Sequence, residues 1–530
     1  MESDDRVDSA GGAGLAIGVG LLAGFTLLVA VAPDTDVIRT SHLLAAYLSL
    51  VAIALVYYHS TAADGHWALF GLQLVLVFAI GWLVRALVRG GVASRFHEVL
   101  AVLVLTLLLI LARGDLLRFG THGAPYLLSF AALFGVFLFH SSQYAANSGL
   151  GLFPVFAGII LGLNLFVVPR YVSQDAVYWS ISLIAAGVAL LALSTVFVGD
   201  YSIGVFSVRT WTGTLAVGNV PLSRSIYANP NTFGLLMFPG VIASVAATHR
   251  TYERSRHRAF AVVPLLCFPL TVVGLALSGS RAAVLAAAVA LGLYVASSRT
   301  HPRWIPLFIA GTIVTVGLFL GGIALGVLPI DPANRFTLWS AGFRAFLVEG
   351  SPLGQGLVET SQLIEPYLPA SADAYSIHNS YLSIALRAGF IGGGAYLVLV
   401  VGPLLHSMIR PALVVRTLGM LAIASGFAVH QLFEAYTLYQ FGPGSILGAL
   451  AVGYVIESLT APLPVADSDG SDSIEGADAS SSDSTHTADD GNGPAADGST
   501  TDTKSGAKPD SGAESNADTG DGTDDSSDDG

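Results

Sequence analysis

Apolar runs of 16 to 25 residues recur along this chain from Gly14 to Glu457, and each is long enough to cross a hydrocarbon core of about 30 Å as a helix. The runs lack the strict alternation of a membrane barrel strand, so each span must satisfy its own backbone as a helix. The spacing predicts 14 spans, at 14–32, 40–58, 67–84, 97–113, 125–140, 150–168, 178–198, 230–248, 259–279, 281–297, 304–328, 381–405, 416–435 and 439–456. The expected fold is an all-α polytopic membrane protein of about 12 to 14 transmembrane helices. Composition agrees: 53% of the 530 residues are hydrophobic and only 12% charged, about half the charged share of a soluble domain.

Charge is unevenly placed. Eighteen of the 37 acidic residues and both lysines lie after residue 460, giving that tail a net charge of −16, while the body carries 22 arginines against 19 acids. The tail, 461–530, is rich in Asp, Ser, Gly and Thr without an aromatic residue, and is expected to be disordered. This balance, with lysine nearly absent, implies a halophilic, archaeal source. The acidic start, Met1 to Ser9, does not resemble a cleaved signal peptide, so the first apolar run is read as a span. Cys267, the single cysteine, excludes an intramolecular disulfide and has no metal-ligand spacing around it. Neither a metal, a cofactor nor a nucleic-acid partner is expected.

The expected organisation is an N-terminal helical part, 1–198, a core, 199–457, and the tail. Two long connections, Gly199–Asn229 and Pro329–Ser380, interrupt the core, and loops of that length are usually functional. Arginines cluster in the loop 249–258, at Arg299 and Arg303, and at Arg410 and Arg416, which assigns those turns to the cytoplasm. Both long connections then face outward and both termini inward in a multi-pass protein of the cell membrane. Arg85, Arg89 and Arg95 oppose this count, so the first half is the weaker part of the topology.

Four constellations fall on the outer side. Arg224 precedes Asn229-Pro230-Asn231, a helix entry with Asn as cap and Pro first. Arg281 follows Ser278-Gly279-Ser280 in a tight turn, either snorkelling to head groups or aimed at a phosphate that its planar fork can grip. Arg335, Trp339 and Phe343, at i, i+4 and i+8, share one helix face, followed by the glycine-rich turn Ser351–Gly356, which suggests binding. His378-Asn379 opens the next span, with Arg387, Gly389 and Gly392–Gly394 behind it. A histidine there is by itself a cap or surface residue as readily as a base. Beside three arginine sites, it suits proton removal while cations hold a departing diphosphate.

The order Asn-Pro-Asn, Ser-Arg, a loop arginine with Gly-x-Gly, then His-Asn-x-Tyr-Leu and Gly-x-x-Gly resembles the O-antigen ligase and O-antigen polymerase superfamily over roughly 224–457. The resemblance implies a membrane glycosyltransferase that moves a glycan from a polyprenyl (pyro)phosphate carrier to a glycan, lipid or protein acceptor on the outer face, with no metal or nucleotide sugar. It implies His378 as catalytic base and Arg281 and Arg335 as pyrophosphate-binding residues, with Arg224 and Asn379 accompanying them. Ligase and polymerase are not separated by these motifs. A transporter or flippase of a lipid-linked oligosaccharide is the alternative, since intramembrane charges also mark transport routes.

Overall fold

The computed structural model describes residues 123–460 except 145–152, 204–205, 216–219, 255–257, 326, 328–334, 371–375 and 441. The four spans expected between 14 and 113, the three arginines that oppose the topology and the acidic tail lie outside the described residues.

Each of the ten spans expected from residue 125 onward is met by a helix. They are α1 (Ala124–Tyr144), α2 (Phe153–Gly162), α3 (Gln174–Val198), α4 (Pro230–Arg254), α5 (Val262–Ser278), α6 (Arg281–Ser298), α7 (Ile305–Ala324), then α8 (Arg335–Glu349) and α9 (Thr360–Ile364) in the long connection, and α10 (Ser380–Val400), α11 (Gly402–Ile409), α12 (Leu418–His430) and α13 (Pro443–Thr460). α2 continues through a π-turn, Leu163–Val167, to Tyr171. Among the described residues nine helices are long and apolar enough to cross a membrane, and the protein is an all-α polytopic membrane protein.

Local chemistry sets the helix ends. Ser173 accepts from the Ala176 amide to start α3, and the Asn229 side chain accepts from the Thr232 amide at 2.8 Å to start α4. α5 stops at Gly279, whose φ of 61° is left-handed, and Ser280 then caps α6 through the Ala283 amide. Two expected spans are corrected. The run 381–405 breaks at Val401 into α10 and α11, and the run 416–435 ends as a helix at His430, leaving Gln431–Tyr436 as turns and irregular chain.

α4 packs against α3, α5, α6, α12 and α13, and forms the centre of the bundle. About three quarters of the apolar stretches of α4, α12 and α13 are buried (78, 72 and 78%), against 17% for α7, whose Leu307, Ile313, Val314 and Leu318 point outward to where lipid would lie. In a bilayer burying Leu against Leu gains little over lipid tails, so close packing holds such a centre together. Phe238 of α4 meets Phe427 of α12 edge-on at 4.6 Å.

The two long connections fold in different ways. Within 199–229, β1 (Tyr201–Ile203), β2 (Phe206–Thr214) and β3 (Pro221–Ser225) form an antiparallel sheet in that order, a feature the hydropathy pattern does not predict. In the second, the glycine-rich turn Ser351–Gly356 inserts into a kink of α10 at Gly389, where φ is 65°. Phe390 and Ile391 donate to the Ser351 and Pro352 carbonyls at 3.3 and 3.1 Å, and Gln355 and Gly356 donate to Leu386 and Arg387 at 2.9 and 2.8 Å. A Cβ on Gly354 would strike the Arg387 and Gly389 backbone. This turn, read from sequence as an aid to binding, restores the hydrogen bonds of a broken helix.

Candidate functional site

Glu434 organises the site, and no reading of the sequence singles it out. It sits in the turn segment after α12, its side chain 12% exposed, and that segment is fastened by the first residue of α10. The Ser380 amide donates to the Gln431 carbonyl at 2.9 Å, and its hydroxyl contacts the Glu434 carbonyl at 2.6 Å and the Tyr436 carbonyl. The backbone is thus held before any charge is considered.

Three side chains from three separate elements converge on the Glu434 carboxylate. Arg335, the first residue of α8, donates through Nη2 to Oε1 at 3.1 Å, and Asn231, in the first turn of α4, donates through Nδ2 to the same oxygen at 2.9 Å. His378 Nδ1 stands 3.6 Å from Oε2, an ion-pair distance when the imidazole is protonated. Burial alone would raise the Glu434 carboxyl. The contact with His378 and the fields of His430 and Arg335 outweigh it and hold the group below the ordinary glutamate value.

His378 precedes the N-cap of α10 and has a φ of 46°, a left-handed conformation that costs a residue with a Cβ about 1–3 kcal/mol. Its side chain is 36% exposed, so the imidazole has one side on Glu434 and another open. Asn379, expected in a binding role, uses its side-chain oxygen as the α10 cap, accepting from the Leu382 amide at 3.0 Å. The fully buried His430 lies behind, stacked on Phe238 at 5.8 Å and tilted against Tyr436 at 5.3 Å.

Arg335 and Glu434 open onto a cavity of about 840 Å³ that Arg281 also lines. The structure therefore brings Arg281 and Arg335 together at one cavity, with Trp339 and Phe433 forming its aromatic side. The Trp339 indole N–H is shielded and has no partner among the described residues. Phe343, expected on the same face, does not line this space and is 56% exposed. Below Arg281 the wall is apolar: Val284, Leu285 and Ala288 follow at i+3, i+4 and i+7 on one face of α6, joined by Phe319 and Leu320 of α7. Arg224 is not part of this group. It lines a second cavity, donates to the Ala228 carbonyl at 2.8 Å and lies 5.5 Å over the Trp211 ring.

Asn231 and Glu434 are the residues that sequence reasoning missed. Asn231 stood in a motif already explained as a helix cap, and that role belongs to Asn229 alone. Glu434 fell inside an expected span. An acid within a membrane run was itself the available signal, because such a group requires a partner.

No curated protein matches the chain. Residues 265–397 match the family model described as O-Antigen ligase, a stretch that includes Arg281, Arg335, His378 and Asn379 and stops short of Glu434. Over that quarter of the chain, within a polytopic helical fold, the sequence is similar to the O-antigen ligase family.

Proposed function

We propose that this protein is a membrane glycosyltransferase that transfers or polymerises a glycan carried on a polyprenyl diphosphate. The carrying observation is the amphipathic build of the 840 Å³ cavity, which is lined by two arginines and by the apolar Val284, Leu285 and Ala288 of α6 with Phe319 and Leu320 of the lipid-facing α7. A polyprenyl diphosphate has that same division into a doubly charged head and an apolar tail. Guanidinium forks grip such oxygens in pairs, and the apolar stripe accepts the prenyl chain.

In the reaction the acceptor hydroxyl oxygen attacks the anomeric carbon of the first donor sugar as the bond from that carbon to the diphosphate oxygen breaks, with inversion. His378 takes the hydroxyl proton. Arg281 and Arg335 stabilise the charge gathering on the leaving diphosphate, and Glu434 holds Arg335 in place and stabilises the imidazolium that forms. The orphaned Trp339 N–H is a further donor in the same wall.

The end of the bundle away from this cavity supports an outward-facing site. There Arg250, Arg254 and Arg258 flank one short turn, Arg299 and Arg303 the next, and Arg410 and Arg416 a third. Short arginine-rich turns favour the cytoplasmic side.

The test is reconstitution in proteoliposomes with a synthetic polyprenyl diphosphate-linked glycan and an acceptor. The expected result is a new glycosidic product with free polyprenyl diphosphate in equal amount. Movement of intact lipid-linked glycan across the bilayer without cleavage would replace the transferase by a flippase, and neither outcome would overturn both.

A further inference from the structure

The second cavity, of about 520 Å³, lies between the sheet and the start of α13, and the segment Gln431–Gln440 contributes to the linings of both cavities. Along Gln431–Gln440, Glu434 faces the first cavity and Tyr436 the second; at the head of α4, Asn231 faces the first and Thr232 the second. The two spaces thus share a partition a few residues thick, fastened by Ser380.

Their linings differ in chemistry. Arg209 of β2 and Arg224 of β3 both line the second cavity, and among the described residues no carboxylate does. Asp200, the acid whose charge interacts with both, is already committed to Thr210, whose amide and hydroxyl donate to it at 2.7 and 2.8 Å. Thr232, Tyr436, Gln440 and Ser445 add hydroxyl and amide groups. Two polar atoms are shielded and lack a partner among the described residues: Arg224 Nε and the Tyr436 hydroxyl. Tyr436 is half-buried with its hydroxyl shielded, and burial first, then Tyr396, Tyr381 and Glu434, drives its phenol well above the ordinary value, so it stays a protonated donor. Buried donors without acceptors are uncommon and call for a ligand or water to complete them. The second cavity also lacks the lipid-facing apolar stripe of the first. Its lining sets Ile226, Ala228, Leu235 and Pro443 beside the two arginines. The two arginines, with no carboxylate among the described lining residues, fit an anionic group.

We infer that the second cavity binds an acidic sugar, a carboxylate- or sulfate-bearing unit of a glycan that takes part in the transfer. Arg209 and Arg224 pair with the anionic group, and the Tyr436 hydroxyl with Thr232, Gln440 and Ser445 engages the sugar oxygens. The role in transfer rests on the proposed transferase, while the binding itself does not.

The experiment measures binding of a glucuronate-containing disaccharide and its carboxyl-reduced, neutral counterpart to the full-length protein in nanodiscs. The acidic probe is expected to bind at least tenfold tighter. Arg224→Gln should abolish that preference, and Tyr436→Phe, which keeps the ring, should weaken the acidic probe several-fold. His378→Ala should leave it unchanged. Arg224→Lys separates lost folding from lost recognition: it should retain part of the preference. Equal binding of the two probes, or an acidic preference untouched by both Arg224→Gln and Tyr436→Phe, overturns the inference. In a transfer assay, competition of the free acidic disaccharide against the acceptor assigns the site to the acceptor, and competition against the lipid-linked donor assigns it to the donor glycan. Retained acidic binding in a protein that transfers no glycan would defeat the proposed function and leave this site standing.

Discussion

The two ends of the helix bundle both hold buried or half-buried ion pairs, and they use them differently. Away from the cavities, Arg170 of the α2 segment pairs with Glu457 of α13 at 3.0 Å, and Arg250 of α4 pairs with Asp175 of α3 while donating to the Arg416 carbonyl at 2.9 Å. These contacts join neighbouring helices and border no described cavity. At the site end one carboxylate, Glu434, is shared by Arg335, Asn231 and His378 from three elements, and it opens onto a large cavity. A pair that joins two helices has finished its work when they are joined. A carboxylate shared by a cation, an amide and an imidazole at a cavity wall controls groups that can still act on something else.

The largest effect expected from this contrast is at His378. His378→Ala should lower transfer by about 10²–10⁴-fold, the range of a lost general base, while binding of the lipid-linked donor persists. Single-turnover kinetics in proteoliposomes against donor binding in nanodiscs check it. Near wild-type turnover would remove His378 from the chemistry and reduce the site end to a second set of helix ties.

Glu434→Gln comes next. It keeps the shape and can still accept from Arg335 and Asn231, but loses the charge-assisted part of those bonds, each about 1.5–3 kcal/mol. A loss of that size in the transition state is about ten- to hundredfold in turnover. The pH dependence carries its own sign. Because the folded Glu434 carboxyl titrates below its ordinary value, its contribution to stability is complete above the usual glutamate range and is lost as pH falls through the lower folded value. Thermal unfolding followed downward in pH should fall more steeply for the wild type than for Glu434→Gln, and parallel curves would show that the carboxylate contributes no linkage.

Arg281→Lys is smaller and sharper. Lysine keeps the charge at the α6 terminus but not the fork, so insertion and monodispersity should be normal while transfer drops at least tenfold, about 1.4 kcal/mol. Full activity would mean that Arg281 only reaches head groups.

Much of this was legible in the sequence, for specific reasons. Helices from residue 125 onward followed from runs of apolar residues that only helices can carry through lipid. Arg281, Arg335 and His378 stood out because charge is rare in such a chain, and two of them, Arg281 and Arg335, meet at one cavity with the third next to its carboxylate. Arg224 was grouped with them because loop residues close in order look close in space. The sheet carries it to the other side of the Tyr436 partition. Glu434 escaped because Phe433, Ala435 and Tyr436 make its surroundings read as membrane span, and hydropathy does not report that the helix stops at His430. The turn Ser351–Gly356 carries a role that its sequence does not announce: Gly354 is needed because another backbone passes against it, a long-range contact with no local signature.

The least effect is expected from Glu457→Gln, and it tests the other half of the comparison. Arg170 and Glu457 are 14 and 31% exposed, so the pair is partly screened and its contribution is of the order of 1 kcal/mol or less. The neutral glutamine still accepts from the Arg170 guanidinium, which prevents a stranded buried cation. Thermal stability should therefore fall by a few degrees at most, and transfer by the folded fraction should match the wild type. The informative reading is the ratio of the two measurements. A site-end variant, Glu434→Gln, is expected to lose turnover out of proportion to stability, and Glu457→Gln to lose stability without turnover. If Glu457→Gln slowed transfer tenfold while the protein remained folded, the two ends would be coupled through α13. The division between ties and chemistry would then have to be redrawn around that helix, whose first turn also lines the second cavity at Gly444 and Ser445.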